Sequence, residues 1–145
     1  MIGSRRRLVA DALVIAGGGA LIASAFMHWV SRGSGSGLRG HALIDAIVAA
    51  GRNFPGVSSA RLTILWYLVP ALGAAAWIAT GLRGADSRAA RIVAALAALA
   101  TVGSVVPIVR LVGFSSLGIG AWVAAIGAAA LLAGAWGIAP RRARR

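Results

Sequence analysis

The 145-residue chain has no cysteine, no lysine and no glutamate, and its only acids are Asp11, Asp45 and Asp86. Without cysteine there is no disulfide, no thiolate nucleophile, no Cys-ligated zinc or iron–sulfur cluster and no covalently attached c-type haem. Three carboxylates and two histidines, His28 and His41, leave little from which to assemble a polar active site. Residues 31–37 are rich in glycine and serine, but no Gly-Lys-Ser/Thr follows to cradle a phosphate. The same stretch is out of phase for the Gly-x-Ser-x-Gly elbow of a hydrolase and reads as a flexible linker. Charge is scarce overall, at 12% of residues, where soluble domains carry roughly 25%.

What fills the chain instead is apolar: 59% hydrophobic residues and a mean hydropathy of +0.85. A bilayer core of about 30 Å requires roughly 20 mostly apolar residues per helix. Four runs meet that length, at residues 8–30, 62–82, 92–111 and 117–139. They are continuously apolar, whereas barrel strands alternate over about 10 residues. Backbone groups in lipid must bond within their own segment, so the expected fold is an all-α integral membrane four-helix bundle. Pro70 and Pro107 fall inside the second and third runs and are expected to kink them.

All fifteen basic residues are arginine, and the net charge is +12. Arg5, Arg6, Arg7, Arg83, Arg88, Arg91, Arg141, Arg142, Arg144 and Arg145 fall on one side of the expected bundle. Arg32, Arg39, Arg52, Arg61 and Arg110 fall on the other. The positive-inside rule therefore puts both termini, the short 83–91 loop and the basic 140–145 tail in the cytoplasm, with residues 31–61 as an external loop. Trp29, Trp66, Tyr67 and Trp122 are expected to form an outer aromatic belt, with Trp77 and Trp136 near the inner interface. The arginines flank apolar helices, so anionic lipid headgroups are the expected charge partners and nucleic acid is not. The stretch Ser4-Arg5-Arg6-Arg7-Leu8-Val9 resembles a twin-arginine export signal, with a peptidase-like Ala23-Ser24-Ala25. The apolar run continues through Phe26, Met27 and Val30, which favours a retained first membrane helix.

Small residues let membrane helices approach closely. Ala12, Ala16, Ala20 and Ser24 make a four-residue stripe in the first run, beside Gly17-Gly18-Gly19. Ala121, Ala125, Ala129, Ala133 and Gly137 make another in the fourth. Both are expected packing faces, within the bundle or against a second protein. In the external loop, Leu43, Ile44, Ile47 and Val48 recur at helical spacing within residues 40–51, predicting a short amphipathic helix that stops before Pro55. With Arg39, these four form the expected partner-docking face.

The remaining polar candidates are few. His41 and Asp45 are four apart and would be neighbours on a helix, reading as a hydrogen-bonded surface pair. Zinc normally takes three or four protein ligands, so no metal site is expected, and no cofactor. His28 beside Trp29 reads as an interfacial residue. Asp11, the one carboxylate inside a run, lies one turn beyond Arg7 near the inner interface and is expected to pair with Arg7, an ion or proton pathway being the alternative. Arg110 closes the third run and is expected to reach toward lipid phosphate.

Trp29 closing the first run, the Gly/Ser-rich loop with Gly40-His41 and Asp45, and three further runs form a layout along the whole chain. That layout resembles small four-helix membrane proteins common in high-GC Gram-positive bacteria. The resemblance implies a bacterial cytoplasmic membrane and brings no activity with it. The expected function is a non-enzymatic accessory or scaffolding subunit of a larger cell-envelope complex, in lipid transport, secretion or cell-wall assembly, with another integral membrane protein as partner. A small oligomeric transporter or channel is the alternative, since Pro70 and Pro107 would permit broken helices. Against it, the runs offer little polar lining beyond Ser24, Thr101 and Ser104. An enzyme built on His28, His41 and Asp45 would need a nucleophile or metal that the sequence does not supply.

Overall fold

The computed structural model describes residues 2–33, 38–51 and 59–137. All regular structure among them is helical: α1 (Ile2–Ser24), α2 (Gly40–Gly51), α3 (Ser59–Arg83), α4 (Arg88–Val112) and α5 (Ile119–Leu132). A 3-10 turn at Phe114–Ser116 precedes α5, and a π-helical turn at Ala133–Gly137 follows it. Four helices are long and apolar enough to cross a membrane, within α1, α3, α4 and the continuous α5–π segment.

These four form a ring in which α1 packs on α5 and α3, α3 on α4, and α4 on α5. Each neighbour runs antiparallel to the next, the up-down-up-down arrangement of a simple bundle. The start of α1 and the end of the α5 segment lie together, since Gly134 abuts Ala10, and the α3–α4 turn joins them there. We refer to this as the turn end. The opposite, loop end carries residues 25–33, α2 and the 113–118 connection.

Local chemistry accounts for the boundaries at the turn end. Gly84, with φ of 80°, stops α3, and its N–H donates to Thr80 O at 2.8 Å. Ser87 starts α4 as N-cap, its hydroxyl accepting from Ala90 N at 3.1 Å. Both α3 and α4 continue as helix through their prolines. Each proline removes one N–H from the ladder, freeing the carbonyls of Trp66 and Gly103 four residues earlier.

The first helix ends earlier than the hydrophobic run 8–30 predicts. At Ser24 the chain tightens into i→i+3 bonds, Phe26 N to Ala23 O at 3.0 Å and Met27 N to Ser24 O at 3.2 Å, and then turns back. Residues 28–31 pair with the segment before α5: Gly118 N donates to Trp29 O and Ser31 N to Ser116 O, both at 2.8 Å. Trp29 and Val30 are apolar because they are buried over the top of the bundle, not because they extend the span. A short buried segment and a helix end carry the same hydropathy signal.

α1 is the hub of the ring, and consecutive glycines make it so. A Cβ built on Gly17 would lie 2.6 Å from Gly127 O on α5, and one on Gly18 would lie 2.7 Å from Gly73 O on α3. Gly17 and Gly18 thus admit two neighbouring backbones on two faces of one helix turn. Gly120, Gly127 and Gly134 recur every seven residues along the continuous α5–π segment and meet Trp29, Gly17 and Ala10 in turn. Interleaved with Ala124 and Leu131, both 0% exposed, they give the alternating four- and three-residue spacing of a coiled-coil seam.

Both alanine stripes fall beside these seams rather than on them. Ala12 and Ala16 are exposed and Ala20 half-buried, and only Ser24 of the first stripe is buried. Of the second, Ala121 is buried while Ala125, Ala129 and Ala133 face outward. The intramolecular faces are Ala10, Val14, Gly17, Leu21 and Ser24 on α1, and Gly120, Ala124, Gly127, Leu131 and Gly134 on the α5–π segment. Glycine allows closer backbone approach than alanine, so where both are available the glycine face wins the contact.

Candidate functional site

Polar side chains cluster at the two ends of the bundle and are spent mainly on backbone. At the turn end, Asp11 Oδ1 on α1 accepts from Ala85 N in the α3–α4 turn at 3.0 Å. Arg91 Nε on α4 donates to Ala135 O in the π-helical turn at 3.1 Å. Together these two bonds tie all four spanning helices at one level. Asp11 thus works as an acceptor for a turn N–H that α3 and α4 leave open. Among the described residues, no ion pair joins it to Arg7, the partner expected from the sequence.

Midway along the bundle, Trp77 Nε1 on α3 donates to Ile15 O on α1 at 2.7 Å. A Cβ on Gly18 would lie 2.8 Å from that same nitrogen, so the glycine makes room for the cross-helix bond. The buried hydroxyls of Ser24, Thr101 and Ser104 turn back on their own helices. Ser24 donates to Leu21 O, Thr101 to Ala97 O and Ser104 to Ala100 O, at 2.7, 2.8 and 2.9 Å. Back-bonding of this kind satisfies a hydroxyl without presenting it to a ligand. Thr80 differs: its buried hydroxyl has no hydrogen-bond partner among the described residues.

The loop end is closed by a tryptophan pair. Trp29 is 0% exposed and Trp66 2%. Their rings meet edge-on, with centroids 4.2 Å apart at 62°. Trp29 Nε1 donates to Ser24 O at 2.7 Å, a second bond on the carbonyl at the end of α1 that also accepts from Met27 N. Gly40, opening α2, packs directly on the Trp66 ring and on Ala25 O. Two of the four expected outer-belt aromatics are therefore core residues. Their amphipathic rings find a partner inside the protein instead of at the headgroups. Tyr67 and Trp122 remain exposed.

The expected docking face is divided by this arrangement. α2 packs on α3 and buries Leu43 to 5% and Ile44 to 3% exposure. These two side chains are covered by the chain's own bundle and cannot serve a partner as drawn from the sequence. The apolar face of a short amphipathic helix goes to the nearest apolar surface, here the tryptophan-capped end. Arg39 is exposed, as are Asp45, Ala46 and Ala49. The side chains of His41, Ile47 and Val48 lie outside the described residues, as does the expected His41–Asp45 pair. So do the tail arginines, Arg52 and the exposure of Gly137. His28 is exposed, and it is its carbonyl, not its ring, that is engaged, accepting from Gly120 N at 2.9 Å.

Among the described residues, no group of three or more His, Cys, Asp or Glu converges as a metal site would require. The α4–α5 face holds an apolar groove of about 300 Å³. It is open on the outer surface of the ring and contains the exposed Ala125 and Ala129.

An all-helical ring with four spanning helices defines a multi-pass membrane helix bundle. No family model matches the chain, and no match is found among curated proteins or solved structures.

Sequence reasoning missed the residues that matter most to this arrangement. In the sequence Gly17-Gly18-Gly19 stands out only as the neighbour of a stripe. The seven-residue recurrence of Gly120, Gly127 and Gly134 is visible in the sequence and was the signal that would have found the α5 seam. Trp29 and Trp66 carry no local signal for burial, because an aromatic at a span's end looks the same whether it faces headgroups or core.

Proposed function

We propose that this protein is a non-enzymatic accessory or scaffolding subunit of a larger cell-envelope membrane complex. It sits in a bacterial cytoplasmic membrane with both termini and the turn end cytoplasmic, and with α2 on the external side. The observation that carries this reading is the way the bundle uses its polar groups. The hydroxyls of Ser24, Thr101 and Ser104 are returned to their own helices. The Gly17–Gly127 and Gly18–Gly73 contacts bring backbones together with no room for a solute between them. A conduit needs polar groups facing a path. A tightly sealed bundle is suited to holding a shape that another protein recognises.

The partner surface we assign is the outward side of α2, with Arg39, Asp45, Ala46 and Ala49 exposed. This replaces Leu43 and Ile44 in the docking role. A photo-crosslinking residue at Ala46 or Ala49 in the native host is expected to capture one membrane protein. The same protein should co-purify in fixed stoichiometry, and Ala46→Arg should release it while leaving the bundle folded. Capture of only further copies of this chain would overturn the accessory reading and bring forward an oligomeric transporter.

A further inference from the structure

We propose that the groove between α4 and α5 is a binding site for an anionic phospholipid, with one acyl chain in the groove and its phosphate held by Arg110. The proposal is independent of whether the protein has a protein partner.

The walls are Ala98, Val102 and Val106 on α4 and Ala125, Ala129 and Leu132 on α5. Three alanines in these positions keep the two helices from filling the space between them. Thr101 also lines the groove, but its hydroxyl is bonded to Ala97 O, so the surface offered is apolar throughout. The volume of about 300 Å³ is at the lower end of small-molecule sites, suited to part of a single chain. The groove lies on helices of membrane-spanning length, where acyl chains are the available apolar ligand.

Any outward surface of a membrane protein meets acyl chains; the mouth of this one makes it selective. Arg110 is four residues beyond Val106, one turn further along the same face of α4. It is exposed and has no carboxylate partner among the described residues. Asp11 and Asp86 are at the turn end, and Asp45 is on α2, which packs on α3. Trp122 is three residues before Ala125, above the α5 wall, and stacks edge-on against Phe114 with centroids 5.4 Å apart. Both rings are exposed, at 47% and 63%. A cation and two exposed aromatics at one end of an apolar groove match the headgroup, interface and chain of one anionic lipid.

The test is native mass spectrometry of the full-length protein in a mild non-ionic detergent, titrated with phosphatidylglycerol or with phosphatidylcholine of identical chains. One phosphatidylglycerol should be retained with about a fivefold preference, the effect of one basic residue near a headgroup. Arg110→Gln should abolish the preference, whereas Arg7→Gln, at the opposite end, should preserve it. Ala129→Phe, filling the groove, should lower retention of both lipids. If that variant fails to elute as a folded species, Ala125→Leu takes its place. Equal retention of the two lipids, or a preference that survives Arg110→Gln, would overturn the proposal. So would a groove variant that changes only the number of protein copies or partners in the particle.

Discussion

Gly17 on α1 and Gly127 on α5 face each other with no space for a side chain on either. A Cβ on Gly17 would stand 2.6 Å from Gly127 O, and one on Gly127 would stand 2.9 Å from Gly17 O. Because the obstructing atoms are backbone, neither helix can yield by changing a rotamer.

Gly17→Ala is therefore expected to force α1 and α5 apart and to destabilise the bundle by about 1–3 kcal/mol, the range for overpacking. Ala16→Leu, one residue away but exposed, should change stability by less than about 0.5 kcal/mol. Thermal unfolding of both variants in the same detergent measures the difference. Equal effects would contradict the assigned seam.

Trp29 combines complete burial with a hydrogen bond to Ser24 O. Trp29→Phe keeps most of the ring and removes this bond, while Ser24 O still accepts from Met27 N, so the expected loss is about 0.5–1.5 kcal/mol. Trp29→Ala removes the ring contact with Trp66 as well and should cost about 3–5 kcal/mol. Trp122→Phe is exposed and should be nearly silent in the same assay.

The role of Asp11 separates structure from transport. Asp11→Asn retains a side-chain oxygen that can accept from Ala85 N and should leave stability within about 0.5 kcal/mol, whereas Asp11→Ala should lose about 1 kcal/mol. A carboxylate that moved protons or ions would behave differently, with function failing in the Asn variant as well. Unfolding midpoints of the two variants, read together with growth of the native host, distinguish the cases.

Ile44 anchors α2 to the bundle at 3% exposure. Ile44→Asp should place an uncompensated charge in that contact and unseat α2. The expected readout is faster proteolysis of the 25–60 region, with the four spanning helices still protected by detergent. Ala46→Asp, on the exposed side, should leave the cleavage rate unchanged.

The spanning helices were legible because hydrophobic length is a strong signal: α3 and α4 start and stop within four residues of the runs read from the sequence. α1 was misread at its far end because Trp29 and Val30 are apolar for a different reason, burial beneath the α5 connection. The helical period in residues 40–51 located α2, but periodicity gives the existence of an apolar face and not what covers it. Leu43 and Ile44 therefore pointed to a partner when their partner was the chain itself. The alanine stripes do not mark the intramolecular seams, because an alanine-rich helix looks small on every side. In such a background only glycine distinguishes the closest face. The Asp11–Ala85 and Arg91–Ala135 bonds join residues 74 and 44 apart, and no local pattern announces contacts at that separation.

We propose that this bundle is a sealed scaffold within a heteromeric membrane complex. The most direct test is native mass spectrometry of the protein extracted from its own host membrane in mild detergent. The account predicts a particle containing this chain and a second membrane protein in fixed stoichiometry. A homogeneous oligomer of this chain alone would contradict it.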